Sequence, residues 1–212
     1  MLPAGTTPEA FARAEIDELA DVVDQPYRVL EAEATSGGGH VRVERHGSAR
    51  MPAGPVPIRV EKRIEVGGDR RGPTLTLDVT LDNLGDAPVR GLLAVEWATT
   101  MLGGGSNPAA YYVLDGERIT HDRADRRAGL ATLHSGNDYV GLDVATTATP
   151  PTDAWISPIE TVSNSEAGFE RVYQGSALVF TWPLDLAPGA RMSVRVEHVV
   201  STSRDRAEEE GL

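Results

Sequence analysis

The stretch Thr74-Leu75-Thr76-Leu77-Asp78-Val79-Thr80-Leu81 decides the fold class. Leu75, Leu77, Val79 and Leu81 alternate without a break with Thr74, Thr76, Asp78 and Thr80. Successive side chains on a strand point to opposite faces, so a period of two describes a strand with one buried and one wet face.

Outward from this segment the same period recurs. Val56 to Val66 alternates Ile58, Val60, Ile64 and Val66 with charged or polar neighbours over most of its length. Val89 to Thr99 is more uniformly apolar and reads as a central strand. Tyr27 to Ala34 and His40 to Arg45 form a first strand pair across a Ser36–Gly39 turn. Ala110 to Leu114, Gly129 to Leu133, Asp138 to Val144, Ala154 to Ile159, Ala177 to Trp182 and Met192 to Val200 complete the set, with Pro188-Gly189 marking the last turn. About ten or eleven strands between turn signals predict an all-β, two-sheet antiparallel sandwich or barrel.

One helix precedes the strands. Thr7 caps it, Pro8 stands where its missing N–H costs nothing, and Glu9 favours the positive end of the dipole. Ala12, Ile16, Leu19, Ala20 and Val23 continue at helical spacing until Pro26. The sequence thus divides into residues 1–25, a leading helix packing on the sandwich, residues 26–200, the sandwich itself, and residues 201–212, a charged tail expected to fray.

With 212 residues, the chain fits one domain. Its net charge is −12, from 20 basic and 32 acidic residues, with no basic stripe, which argues against nucleic acid and against an anionic membrane surface. The absence of cysteine excludes disulfides, thiolate metal sites and cysteine nucleophiles. Met1 to Ala12 lacks a basic leader and a long apolar stretch, and no run approaches the ~20 apolar residues of a membrane helix. These features predict a cytoplasmic protein.

Self-contained chemistry is hard to find. His40, His46, His121, His134 and His198 lack the i, i+4 spacing of a helical zinc pair, and no regular acidic loop points to calcium, so no metal and no cofactor is expected. Gly103-Gly104-Gly105-Ser106-Asn107 lacks the Lys-Ser/Thr ending of a phosphate loop and reads as a flexible connection. No Gly-x-Ser-x-Gly elbow occurs. Glu96, Glu160, Glu166 and Glu170 lie near aromatics, but a glycosidase needs two carboxylates facing one another across a sugar. Aromatics make up 5% of the chain. Most aromatics in a strand-rich protein are core, and Trp155 and Tyr173, with turn residues around them, are the better surface candidates for stacking on a sugar.

The stretch Trp155-Ile-Ser-Pro-Ile-Glu-Thr-Val-Ser-Asn-Ser-Glu-Ala-Gly-Phe-Glu-Arg-Val-Tyr-Gln-Gly-Ser176 resembles the signature of the C-terminal β-domain of glycoside hydrolase family 57 α-amylases and 4-α-glucanotransferases. Trp182-Pro-Leu-Asp-Leu-Ala-Pro-Gly189 resembles that family's closing strand and turn. Glu9 to Arg13 and Glu18 to Tyr27 resemble its first helix and strand; Glu96-Trp97, the glycine loop and Tyr111-Tyr112 resemble its central segment. The resemblance implies a galactose-mutarotase-like supersandwich that sits behind a separate (β/α)-barrel, and it is the barrel that supplies the catalytic carboxylates. A barrel needs ~200 or more residues, so this sequence is expected to be a part of a longer enzyme or a stand-alone relative of its accessory domain. The family commonly has Asn after the counterpart of Trp97, where this chain has Ala98.

The implied function is a non-catalytic accessory domain, structural and glucan-binding, whose partners are an α-glucan or the catalytic barrel. Trp155, Glu160, Asn164, Glu166, Glu170, Arg171 and Tyr173 form the densest candidate surface. The competing reading makes this stretch a long irregular loop in which Glu160, Glu170 and Arg171 satisfy backbone groups. Two other functions remain open: a mutarotase-like enzyme pairing Glu160 with His134, and a module that binds a separate catalytic chain.

Overall fold

The computed structural model describes residues 1–165 and 168–202, with residue 165 described by its backbone only. One short helix, α1 (Pro8–Ala12), precedes eleven strands: β1 (Arg28–Thr35), β2 (Gly38–Met51), β3 (Gly54–Gly67), β4 (Thr74–Asn83), β5 (Val89–Thr99), β6 (Ala110–Leu114), β7 (Glu117–Thr120), β8 (Asp125–Asn137), β9 (Leu142–Ser165), β10 (Gly168–Leu186) and β11 (Arg191–Thr202). All pairings are antiparallel.

The strands form two layers joined through the long strand β9. The larger layer runs β1-β2-β3-β4-β11-β9-β8-β6-β7. The smaller continues from the second half of β9 through β10 to β5. The alternation of residues 74–81 sets the register: Leu77 lies opposite Val196 and Ile64, and Val79 opposite Val194 and Lys62. Their inward side chains meet Leu178, Phe180, Trp182 and Leu184 of β10 in one apolar core. Burial deepens along β4 to Leu81, which is fully enclosed. Beyond it Asp82 closes the layer's rim, bonded to Arg59 at 2.9 Å and to Arg191 at 2.6 Å.

From Gly175 to Trp182, β10 is buried on both faces, as a central strand of a covered sheet must be. The core covers one face. Leu2, Phe11 and Ile16 of the N-terminal segment cover the other, packing on Trp155, Ala177 and Val179.

The N-terminal segment departs from its sequence period. The helix stops at Ala12 instead of running to Val23, and Ala14 takes a positive φ of 54°. Downstream, Leu19 accepts a backbone bond from Arg50 at 2.6 Å and Ala20 bridges Ala49. Backbone pairing with the sheet outcompetes a helix of moderate propensity. Asp138–Gly141 is a turn, and the strand expected there begins at Leu142. The expected strand over 154–159 is the middle of β9. β11 runs through Thr202, and the rest of the charged tail lies outside the described residues. Among the described residues no helix is long and apolar enough to cross a membrane.

Candidate functional site

The stretch from Trp155 to Ser176 is not an irregular loop but two paired strands. β9 and β10 run together from Asp153↔Thr181 to Ser165↔Gly168, with one register shift between Tyr173 and Gly175. The outer neighbours stop earlier: β8 leaves β9 at Ile156, and β5 leaves β10 at Ser176. Among the described residues the two strands pair beyond these points only with each other, so a two-stranded ribbon extends past the sandwich. Ribbons of this kind are marginal alone and gain stability from a covered face.

Register assigns the ribbon's faces. Glu160 lies opposite Tyr173, Val162 opposite Arg171, and Asn164 opposite Phe169. Partners across an antiparallel pair share a face, as do residues two apart. Four predicted residues, Glu160, Asn164, Arg171 and Tyr173, therefore lie on one side with Val162 and Phe169. Glu170, paired with Ser163, falls on the opposite side. Glu166 lies outside the described residues. The face is amphipathic: Phe169 is 82% and Val162 is 62% exposed, beside the ion pair of Glu160 and Arg171 at 3.1 Å.

Trp155 is elsewhere. It is 4% exposed and meets Phe11 edge to face, ring centroids 6.0 Å apart, so the surface position expected for it is corrected to an inner one. The turn residues around it in sequence are strand residues in the fold, and α1 covers its ring.

At the ribbon's base Tyr173 joins a cluster that sequence spacing does not show. Its hydroxyl and the Ser176 hydroxyl share a hydrogen bond of 2.8 Å. His121, 1% exposed, stacks between Tyr173 and Tyr112, with centroids 6.0 and 4.3 Å away. The glycine loop packs against Tyr173: a Cβ on Gly104 would stand 2.3 Å from its Cε1. Gly103 and Gly105 carry φ values of 67° and 82°, which glycine adopts without strain. The loop read as a flexible connection is thus a fitted cover over an aromatic stack. Burial holds the His121 imidazole below the ordinary histidine range and raises the Tyr112 and Tyr173 phenols, so the stack is neutral near pH 7.

The geometry does not assemble an acid–base pair from Glu160 and His134. Glu160 pairs with Arg171 on the ribbon, whereas His134 bonds Asp143 at 2.9 Å, at the other end of β9. For metals, the described residues bring Glu31, Glu33 and His40 together on β1 and β2, their ligand atoms within 4.8 Å of one another. The Arg42 guanidinium, 3.5 Å from Glu31, competes there for the carboxylate. Phe169 and Val162, the most exposed apolar residues of the ribbon, lie outside the predicted site, and no period of two in residues 159–165 marks them in the sequence.

The two-layer antiparallel sandwich has the fold seen in galactose mutarotase-like proteins. A galactose mutarotase-like protein from Clostridium acetobutylicum matches 84% of this chain and 67% of its own at a TM-score of 0.57 and 8% identity. The 4-alpha-glucanotransferase from Thermococcus litoralis matches 93% of this chain at a TM-score of 0.58 and 22% identity, over 26% of its own length. Alpha-amylase 1 of Dictyoglomus thermophilum is 67% identical over 33 residues, 16% of this chain and 5% of that protein. Residues 1–196 match the family model described as alpha-amylase/4-alpha-glucanotransferase, C-terminal, and the chain belongs to that family. It spans about a quarter of the glucanotransferase it resembles.

Proposed function

We propose that this chain is the non-catalytic accessory domain of a cytoplasmic α-glucan-processing enzyme of the glycoside hydrolase family 57 type, and that the β9–β10 ribbon docks it on the catalytic domain beside the glucan groove. One observation carries the reading: a ribbon that no other described strand pairs on either outer edge leaves Val162 and Phe169 exposed next to the Glu160–Arg171 pair. Apolar side chains on a projecting arm gain by being covered, and a rim of charge sets the register of docking. Membership of a C-terminal domain family supports a catalytic domain as the body that covers it. The cysteine-free sequence supports a reducing compartment.

Glu160 and Arg171 then rim the docked apolar pair, and Asn164 and Tyr173, toward the two ends of that face, are the residues left to meet the glucan, with Tyr173 held by the glycine loop. Sedimentation of this chain with a catalytic domain of the family tests the docking half. Phe169→Ser with Val162→Ser should weaken association at least about tenfold, the worth of about 1.4 kcal/mol at an interface core. Unchanged association would remove the ribbon from the reading. Titration with maltoheptaose tests the glucan half: binding to the assembled pair that Tyr173→Ala and Asn164→Ala leave untouched would leave a purely structural role.

A further inference from the structure

Strand β1, at one margin of the larger layer, carries carboxylates on alternate residues, Glu31 and Glu33, and β2 sets His40 directly opposite Glu33. Residues two apart share a face, as do partners across an antiparallel pair, so the three side chains stand together. Their ligand atoms, one from each, lie within 4.8 Å of one another. The hairpin fixes them: Thr35 pairs with Gly38 beyond Glu33 and before His40, and the Thr35 hydroxyl donates to the Gly38 carbonyl at 3.1 Å. Helical spacing cannot show this cluster, because its members meet across a turn.

Two details set the cluster apart from an ordinary surface ion pair. The His40 side chain is 15% exposed, and its Nε2 is closed off from water without a hydrogen bond of normal geometry. Glu31 Oε1 lies 3.1 Å from that nitrogen, to the side of the N–H direction rather than along it. Two ligands of one tetrahedral ion, each bonded at about 2.0 Å, stand about 3.3 Å apart in the same off-line manner. The second detail is how Glu31 is shared. Arg42 Nε stands 3.5 Å from Oε2 and leaves Oε1 on the His40 side, and a ligating carboxylate is commonly held by such an outer contact. On the same face Glu65 lies opposite His40, Arg63 lies opposite Arg42, and Glu61 is 3.8 Å from Arg42. The carboxylates thus outnumber the guanidiniums, a surplus of negative charge that a divalent cation offsets.

We propose that Glu31, Glu33 and His40 bind a divalent transition-metal ion of the zinc class, through one oxygen of each carboxylate and through His40 Nε2. An imidazole with two carboxylates suits zinc rather than calcium, which takes at least about six oxygen ligands. Three protein ligands leave a fourth position for water. The ion ties β1 to β2, the one strand it pairs with among the described residues, so binding stabilises a marginal strand. None of the ribbon residues takes part, and the proposal stands independently of the function proposed above.

Isothermal titration of the untagged 212-residue chain with zinc chloride tests it. A single ion should bind per chain at micromolar concentration, and cobalt in its place should give the intense visible bands of a tetrahedral site. His40→Ala should weaken zinc binding at least about tenfold, and so should Glu33→Gln, a second variant should alanine disturb the hairpin. His46→Ala, on the same strand but outside the cluster, should leave binding unchanged. Zinc should also raise the melting temperature of the parent chain and not that of His40→Ala. No binding at millimolar zinc overturns the proposal. Binding that a folded His40→Ala or Glu33→Gln chain retains in full overturns it as well, because the ion then sits on other histidines.

Discussion

Strands β9 and β10 run through two surroundings, and the contrast between them explains how this domain is built. In the body, Trp155 lies opposite Val179 and Ala154 opposite Phe180, all four nearly inaccessible. In the ribbon, Asn164 lies opposite Phe169 and Val162 opposite Arg171, and all four are exposed. Both stretches carry the same ladder of backbone bonds. What differs is cover: α1, Leu2 and the opposite layer enclose the body, whereas the ribbon outlasts both of its neighbours. Backbone pairing makes a strand, and only packing on its faces makes that strand a source of stability.

Substitutions can break the contrast, and the largest effect belongs to the body. Trp155→Ala should cost about 3–5 kcal/mol by removing a buried ring and leaving a cavity under Phe11, read as a lower midpoint in urea with unchanged slope. A loss below about 1 kcal/mol would mean that the N-terminal cover contributes little. Asp82→Asn should cost about 2 kcal/mol, because it weakens charge-assisted bonds to Arg59 and Arg191 at the rim of the core. Here burial raises the Asp82 carboxyl, but the two guanidiniums outweigh it and hold the pKa below the ordinary value.

A pH series sharpens the same contrast. Burial lowers the imidazole pKa values of His121 and His198, so the unfolded chain takes up their protons first as the pH falls. Stability is therefore greatest above the unfolded histidine value of about 6.5 and declines as the pH drops below it. Thermal melts from pH 8 to pH 5 should show this decline, and the double variant His121→Gln, His198→Gln should flatten it. The smallest effect is on the ribbon: Phe169→Ser should leave stability within about 0.5 kcal/mol of the parent. A larger loss would show that the ribbon face is covered within this chain.

Much of the fold was legible because alternation survives in sequence wherever one face of a strand is wet. Residues 74–81 and 56–66 show it, and so do the turns at Ser36–Gly39 and Pro188-Gly189. The N-terminal segment misled for a physical reason: Ile16, Leu19 and Ala20 have helical spacing, yet they meet three different surfaces, the Trp155 cluster, the main core and the backbone of β2. The ribbon was hidden because Ser163, Asn164 and Gly168 carry turn chemistry while the strand pairing runs through them. Within the candidate surface, residue type alone could not separate Trp155, turned under α1, from Tyr173, turned toward the glycine loop.

The sequence by itself determined the all-β class, the acidic cysteine-free surface and the motif that places the chain in its family, because these depend on residue type and local period. Only the tertiary structure decided that Trp155 is core, that His121 lies between two tyrosines, one of them packed against Gly104 and Gly105, and that Leu2 pairs with β5 at the margin of the smaller layer. Those facts depend on which distant segments meet. Burial and pairing between such segments are set by the whole chain at once, and no local pattern records them.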